Sequence, residues 1–375
     1  MTSGTGTSEA AAVIAFGPVT DFAELGRSWV DLEQRAAGSF FQSWAWTGCL
    51  AQERFDDPWL LSAYRGERLV ALGLFNRGRR NRLGFGRAFY LGESGVKGWD
   101  SVFIEHNGLL IDRAEPPALA RQCWAAIAAD KDSGADRARW VLSGVQASVG
   151  AALPETRAPH LHGSRPAPYI DFTKTGAPQA PFLDHLSANT RQQLRRSLRG
   201  WAEIGSLRLE VARTPDEAGH FLDRLKVLHQ IYWTGRGKPG AFAEPLFERF
   251  HRALLGRAGP GQSVDLIRVS AGAHEVGYLY GFVHHGWVSA YQSGFDFSGD
   301  AQHLRPGLVC HLMAIEHYRA AGMRIYDFLG GEARYKRSFA EHEARLVWLD
   351  SKRPPPLLSG LRRGPLPPPQ NRTPQ

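Results

Sequence analysis

The most unusual local feature of the sequence is the turn that leads into an apolar helix predicted over 306–321. The turn consists of Arg305, Pro306 and Gly307, where a structural helix start more often carries Ser, Thr, Asp or Asn. Pro306 suits the first helical position, and Gly307 leaves the backbone uncovered. Free N–H groups at a helix start attract anions, and an arginine adds further donors. We therefore predict that Arg305, Gly307 and Leu308 bind a phosphate group, with an ordinary helix start as the alternative.

A second group of reactive side chains follows the next predicted strand, 324–330. Asp327 lies near the carboxyl end of that strand, after the crossover helix, where open α/β sheets commonly bind ligands. Asp327, Tyr335 and Lys336 could supply a base, a proton donor and a cation. The structural alternative is that Asp327 caps the loop and Lys336 is a surface charge.

The strand predicted over 287–295 offers further groups for the same chemistry. Gly294 is expected to mark a bulge, or a splay between strands that would admit an extended ligand. Backbone N–H groups between Tyr291 and Gly294 could then stabilise an oxyanion. Tyr291 is a second candidate proton donor.

A basic stripe is predicted on the helix at 187–205, where Arg191, Arg195 and Arg199 recur every four residues. Such a stripe is more often a solvated helix face than an anion site. It would contact phosphates if the ligand were a nucleic acid, and binding would then depend steeply on salt.

The Gly-rich loop TGRGKPGAF, 234–242, has no P-loop spacing, and we interpret it as a mobile substrate loop. His229, Trp233 and Phe242 flank or belong to this loop. We expect these three side chains, together with Arg191 and Arg195, to bind the acceptor substrate.

The composition is that of a globular protein with a sizeable core, because 43% of the 375 residues are hydrophobic and 22% are charged. The net charge of +8 is concentrated in the last 25 residues, 351–375, which hold five basic residues and no acidic ones. Eight prolines in the same segment predict a disordered, basic tail. The charge therefore says little about the folded part.

Other patterns argue against a membrane span, a secretory leader and a metal site. No apolar run approaches the length needed to cross a bilayer, and the N-terminus lacks the pattern of a signal peptide. The three cysteines are too scattered for disulfides or zinc, and no His/Cys/Asp/Glu cluster has metal spacing. We expect a cytoplasmic protein without a metal.

The two halves of the chain share one order of predicted elements: antiparallel strands, a crossover helix and a returning strand. The sequence between them, 153–169, is rich in Pro, Gly and His and is predicted to be a linker. We expect a mixed α/β protein with a domain at 1–165 and a second at 166–350. The second domain carries the Arg305 turn. The matching helix of the first half opens without an Arg-Pro-Gly turn, so we expect the second domain to bind the phosphorylated ligand.

Three segments together resemble a known family: GYLYGFVHHGWVSAYQSGFD, RPGLVCHLMAIEHYRAAG and YDFLGGEARYKRSF. Their order and spacing resemble the acetyltransferase-like proteins linked to bacterial cellulose biosynthesis, the CelD/BcsL-like group. The resemblance covers roughly 20–350. It implies two tandem GNAT-like domains, each a mostly antiparallel sheet with a crossover helix, related to the FemAB-like aminoacyltransferases. It also favours the phosphate interpretation of Arg305 and Gly307, which lie where GNAT enzymes hold the pyrophosphate of acyl-CoA.

The resemblance implies an acyltransferase that moves an acyl group from acyl-CoA, with acetyl-CoA the expected donor, to an amine. The acceptor would be a small molecule, a sugar or a lipid or glycan precursor, and the tandem halves are compatible with a monomer. RPGLVC has one glycine, whereas the full GNAT motif has more, so aminoacyl-tRNA stays open as the donor. The third alternative is a non-catalytic binding module of a polysaccharide system.

Overall fold

The computed structural model describes residues 11–79, 87–96, 98, 100, 102–176 and 180–352. Its chain forms two compact units. Unit one comprises Met1–Val96, Ile104–Ser164 and Val347–Gln375, and unit two comprises Lys97–Phe103 and Arg165–Leu346. Most of the predicted tail, 353–375, lies outside the described residues.

Unit one is built on a sheet with the order β1-β2-β3-β4-β6, and β5 pairs with β3. The pairs are antiparallel except for β4 and β6, which run parallel because helix α3 crosses between them. The strands are β1 (Val13–Pro18), β2 (Pro58–Arg65), β3 (Arg68–Arg79), β4 (Arg87–Leu91), β5 (Leu110–Ile111) and β6 (Arg139–Gln146). The helices are α1 (Phe22–Arg35), α2 (Trp44–Arg54), α3 (Ala118–Ala129) and α4 (Ala147–Ala152).

Unit two repeats this plan with the order β7-β12-β11-β10-β9-β8. Helix α8 crosses between β11 and β12, which are the parallel strand pair of unit two. The strands are β7 (Ala158–Asp171), β8 (Leu207–Val211), β9 (Val264–Ala271), β10 (His274–His284), β11 (Trp287–Phe295), β12 (Ile325–Asp327) and β13 (His342–Lys352), of which β7 and β13 extend into unit one. The helices are α5 (Ala188–Ile204), α6 (Pro215–Thr234), α7 (Pro245–Ala258), α8 (Pro306–Ala320) and α9 (Arg334–Phe339).

The predicted fold class is therefore confirmed: each unit is a mostly antiparallel sheet with one crossover helix. Each unit also has a core of its own. In unit one, Trp124 of α3 packs against Trp140 of β6, with ring centroids 5.8 Å apart. In unit two, α8 contributes Val309, Cys310 and Ile315 to the core, all fully buried.

The predicted linker at 153–169 is wrong for most of its length, because β7 begins at Ala158. Prolines have no N–H and are disfavoured in central strands. Here the carbonyls of Pro166 and Pro168 accept hydrogen bonds from Gly331 and Phe328, at 2.9 and 3.0 Å. The strand tolerates these prolines because their carbonyls, rather than the missing N–H groups, bond to the neighbouring segment.

No helix in the described part of the chain is both long and apolar enough to cross a membrane.

Candidate functional site

The parallel pair of unit two separates after the first three of the nine residues of β11. The β11–β12 ladder ends at Ser289 and Asp327, while β11 continues to its end at Phe295. The chain after β12 follows β7 instead, and the N–H of Phe328 donates to a β7 carbonyl at 3.0 Å. The segments 290–295 and 328–331 are therefore not paired with each other, and we name the place where they part the strand cleft.

A β-bulge in β11 lies at the beginning of the strand cleft. Tyr280 of β10 pairs with Gln292 and Gly281 pairs with Ala290, so Tyr291 is an extra residue. The side chain of Tyr291 packs against Phe247, with parallel rings 6.3 Å apart. The bulge thus turns Tyr291 toward α7.

Of the two alternatives predicted for Gly294, the splay agrees with its position in the part of β11 that has left β12, and the bulge does not. Gly294 pairs regularly with Tyr278, so the prediction of a bulge at this glycine is wrong. A Cβ atom at Gly294 would lie 2.4 Å from the carbonyl oxygen of Leu225 in α6. The glycine is needed because α6 packs directly on the backbone of β11.

The turn at Arg305 begins helix α8 in an uncommon backbone conformation. Arg305 is exposed and has φ 50°, in the left-handed region. Its carbonyl oxygen accepts a hydrogen bond from the N–H of Leu308 at 3.0 Å. Gly307 lies against the ring of Phe295, because a Cβ atom there would be 3.1 Å from that ring. Gly307 therefore brings α8 close to the end of β11, while the Arg305 side chain stays available to a ligand.

Asp327 is fully buried at the end of β12. Its Oδ1 accepts a hydrogen bond from the N–H of Leu329 at 2.7 Å. Leu329 has φ 59°, a conformation that costs energy for a leucine. The carboxylate therefore shapes the turn that leaves β11, in agreement with the loop-cap alternative for Asp327.

Lys336 is buried and not on the surface, so the surface-charge alternative is wrong. Only 8% of Lys336 is exposed. Its Nζ donates to the carbonyl oxygens of Leu329 and Gly330, at 3.0 and 2.9 Å. Because both acceptors belong to the segment 328–331, the ammonium group holds one wall of the strand cleft in place.

Tyr335 packs on the α8 side of the sheet. Its ring stacks on His311 of α8, with centroids 5.1 Å apart. Burial, with a smaller contribution from Tyr232, raises the pKa of the Tyr335 phenol above its usual value. The phenol therefore stays protonated, as a proton donor must.

Three of the four predicted catalytic residues, Asp327, Tyr291 and Tyr335, do not share one face of the sheet. Tyr326 turns its hydroxyl to His311 of α8, so strand alternation turns Asp327 to the opposite face. Tyr335 lies on the face of Tyr326, whereas Tyr291 lies against α7. The structure therefore brings Asp327 and Tyr291 to one face and Tyr335 to the other.

His311 is a candidate that the sequence analysis missed. Its Nδ1 lies 2.9 Å from the Tyr326 hydroxyl, and its ring contacts Phe295 and Phe328, one on each side of the strand cleft. The other ring nitrogen, Nε2, is buried and has no hydrogen-bond partner within the described residues. Burial, and secondarily the charge of Lys336, lowers the pKa of His311 to about 3. The imidazole is neutral at physiological pH.

The predicted acceptor residues His229, Trp233 and Phe242 do lie together. The ring of His229 is 6.0 Å from Trp233 and 5.4 Å from Phe242. Both nitrogens of His229 are engaged: Nδ1 lies 3.0 Å from the Ser293 carbonyl oxygen, and Nε2 accepts from the N–H of Ala241 at 3.2 Å. Burial lowers the pKa of His229. This neutral imidazole ties the 234–242 loop to β11.

The basic stripe on α5 is partly engaged within the protein. Arg191 donates to the carbonyl oxygen of Asp184 at 2.9 Å. Arg195 forms an ion pair with the Asp184 side chain at 3.4 Å, and both side chains are largely exposed. Arg199 is exposed and makes no ion pair in the part of the chain that the structure describes. Surface pairs of this kind contribute little stability, so a ligand could displace them.

Unit one contains a group of side chains of the types that bind metals. Ligand atoms of His160, His162 and Asp350 lie within 4.8 Å of one another. The sequence analysis missed the group because Asp350 comes from a distant strand. The guanidinium of Arg139 contacts the same Asp350 oxygen at 2.5 Å, so a cation of the protein already neutralises this carboxylate.

Residues 188–337 match the family model described as "Acetyltransferase (GNAT) domain". The matched segment includes α5, the strand cleft, the Arg305 turn and Asp327 to Lys336. No curated protein matches the sequence. The family match supports an enzyme of the acyltransferase class, as expected from the sequence.

Solved structures with the same fold cover most of the chain. FemX is 10% identical, with a TM-score of 0.57 over 90% of this chain and 96% of FemX. L-PGS from Bacillus licheniformis is 11% identical, with a TM-score of 0.52 over 88% and 91%. The C-terminal domain of a putative lysylphosphatidylglycerol synthetase from Agrobacterium fabrum is 14% identical, with a TM-score of 0.51 over 88% and 92%. At these identities the likeness concerns the fold.

Proposed function

We propose that unit two is an N-acyltransferase that moves an acyl group, acetyl first among candidates, from acyl-CoA to an amine. The observation that carries the proposal is the strand cleft, which opens beside the Arg305 turn inside the segment that matches the GNAT domain. An extended donor in the cleft would place its phosphates at the start of α8. There the first N–H groups of a 15-residue helix and the exposed Arg305 favour anions.

The proposed reaction is direct attack by the acceptor amine on the thioester carbonyl carbon. A C–N bond forms, the C–S bond breaks, the amine loses a proton and the leaving thiolate gains one. Asp327 is the proposed base, acting through water because it is fully buried. Tyr335, whose phenol is protonated at neutral pH, is the proposed proton donor, and Tyr291 is the second candidate.

The other predicted groups have supporting roles in this proposal. Lys336 fixes the carbonyls of Leu329 and Gly330 and so maintains the cleft wall. Backbone N–H groups near the bulge at Tyr291 would stabilise the oxyanion. Arg305, Gly307 and Leu308 form the donor turn.

The same opening in unit one is filled by the chain itself, which supports placing the donor in unit two. The β4–β6 ladder ends at Leu91 and Leu142. Just beyond it, the Asn107 side-chain amide donates to the carbonyl oxygens of Leu91 and Ser143, at 2.9 and 3.1 Å. An extended donor could enter there only by displacing Asn107. Unit one is thus the degenerate half of the proposed tandem.

Aminoacyl-tRNA is the alternative donor, and two features favour considering it. FemX and L-PGS share the fold over most of the chain. The exposed arginines of α5 could contact RNA phosphates. The leaving group would then be a ribose oxygen. It too would need a proton, from Tyr335 or Tyr291. Acceptors in line with the CelD/BcsL-like resemblance are a sugar amine or an envelope precursor.

The test is the melting temperature of the purified protein with acetyl-CoA, longer acyl-CoAs, coenzyme A and bulk aminoacyl-tRNA. A ligand at about 100 times its dissociation constant should stabilise the native state by roughly 2.7 kcal/mol. We expect an acyl-CoA to raise the melting temperature and Arg305→Asn to reduce that rise. A rise with charged tRNA alone would identify aminoacyl-tRNA, instead of acyl-CoA, as the donor. No rise with any of them would favour a non-catalytic binding module.

A further inference from the structure

Unit one contains a cavity of about 420 Å³ that the proposed acyl transfer does not use. Its walls come from the segment 106–111, from α3 and from α4 with the end of β6. This volume lies within the range of small-molecule sites. The cavity belongs to unit one alone and goes beyond the proposed function.

One side of the cavity is apolar and rigid. Trp124 is 1% exposed and is held against Trp140 of the core. Leu109 and Val149 complete this side. The wall at Asn107 is equally fixed, since the Asn107 side chain makes the hydrogen bonds that close the β4–β6 opening. Such a surface is preformed for a flat apolar group.

The other side carries polar groups that have no partner among the residues the structure describes. Arg121, Gln146 and Ser148 line the cavity and are exposed. Within the described residues, none of these three side chains makes a hydrogen bond or an ion pair. No Asp or Glu belongs to the lining. By contrast, the Gln42 amide in the same cavity is already bonded to the Leu109 carbonyl oxygen at 2.9 Å.

We propose that this cavity binds a small organic carboxylate with an aromatic or branched apolar body. The body would lie against Leu109 and Val149, with the buried Trp124 ring behind them. The carboxylate would pair with Arg121 and accept hydrogen bonds from Gln146 and Ser148. An uncompensated guanidinium beside an apolar wall, with no acid in the lining, selects an amphipathic anion over a cation or a sugar.

The test is isothermal titration calorimetry of the full-length protein with naphthalene-2-carboxylate and its neutral analogue, naphthalene-2-carboxamide. The wild-type protein should bind the carboxylate about 2- to 5-fold more tightly, the range expected for an exposed ion pair. Arg121→Gln should remove this preference and leave the amide's affinity unchanged. Arg137→Gln is the matched control, because it removes another exposed charge of unit one that lies outside the cavity lining.

Two filling variants locate the binding. Ala120→Phe and Ala151→Trp each place a large side chain in the cavity, the second from an exposed position. Both should abolish the binding of both probes, while circular dichroism verifies the fold. The proposal is overturned if neither probe binds at millimolar concentration, if the filled variants bind as well as the wild type, or if Arg121→Gln keeps the preference for the carboxylate.

Discussion

The Oδ1 atom of Asp327 lies 2.7 Å from the backbone nitrogen of Leu329, two residues further along the chain. This short-range bond holds Leu329 at φ 59° and directs the chain away from β11. Lys336 binds the carbonyls of the same turn from the other side. The wall of the strand cleft thus depends on one buried carboxylate and one buried ammonium group, which are also proposed members of the reaction site.

Asp327→Asn separates the two roles of this carboxylate. The asparagine side-chain oxygen can still accept the Leu329 hydrogen bond, so the melting temperature should change little. If Asp327 is the base, turnover should fall by about 100-fold or more, because a neutral amide cannot take a proton. Steady-state rates with acetyl-CoA and an amine acceptor measure this. Wild-type turnover in Asp327→Asn would limit Asp327 to shaping the loop, and Asp327→Ala serves as the variant that loses both roles.

Arg305→Asn tests the donor turn without changing its backbone. Asparagine tolerates the left-handed conformation that Arg305 adopts at φ 50°. Removing the cation should raise the KM for acyl-CoA about 10-fold, since a charge-assisted bond to phosphate contributes roughly 1.5 kcal/mol, and should leave kcat within about 2-fold. Arg305→Lys keeps the charge and should be intermediate. Equal KM values in all three proteins would remove Arg305 from the donor site.

Elements that carry their own boundary signals could be predicted from the sequence. Helix α6 begins at a capping box in which Thr214 and Glu217 exchange hydrogen bonds, and the spacing of these two residues is readable from the sequence. Strand β11 has the predicted bounds, and α8 starts at Pro306 as expected. These signals are local, so the sequence alone contains them.

The site could be predicted only in part, because its geometry depends on distant contacts. The burial of Lys336 follows from carbonyls that the turn at 329–330 presents to it. The face on which Tyr335 lies is set by α8, through His311. A lone histidine in an apolar helix is usually a core residue, and nothing near His311 in the sequence indicates that its ring contacts both sides of the cleft.

Gly294→Ala tests whether α6 must pack directly on β11. The added Cβ would meet the carbonyl oxygen of Leu225 at 2.4 Å, and that backbone atom cannot move alone. We expect a loss of about 1–3 kcal/mol in the free energy of unfolding, as for other overpacked sites. Gly219→Ala, in helix α6, is the matched control, because no atom lies within 4 Å of its added Cβ. It should stabilise the protein by about 0.5–1 kcal/mol. Equal changes in the free energy of unfolding for Gly294→Ala and Gly219→Ala, measured by chemical denaturation, would contradict this account.

The depressed pKa of His311 predicts a specific loss of stability in acid. Its pKa is about 3 in the native state, and about 6.5 in the unfolded chain. Below about pH 6.5 the unfolded state therefore binds a proton that the native state does not. The free energy of unfolding should fall by about 1.4 kcal/mol per pH unit from this residue as the pH decreases from 6.5 toward 3.

Denaturant unfolding at pH 7, 6 and 5 measures this dependence. Burial also lowers the pKa values of His229, His284 and His317, so these three residues add to the wild-type slope. His311→Phe, which keeps a ring in the aromatic cluster, should be less stable at pH 7 because Tyr326 loses its partner. The free energy of unfolding of this variant should nevertheless depend less steeply on pH than that of the wild type, because one buried histidine is gone. His303→Phe, at an exposed position, should keep the wild-type slope. An unchanged slope in His311→Phe would mean that His311 takes up its proton alike in the native and unfolded states.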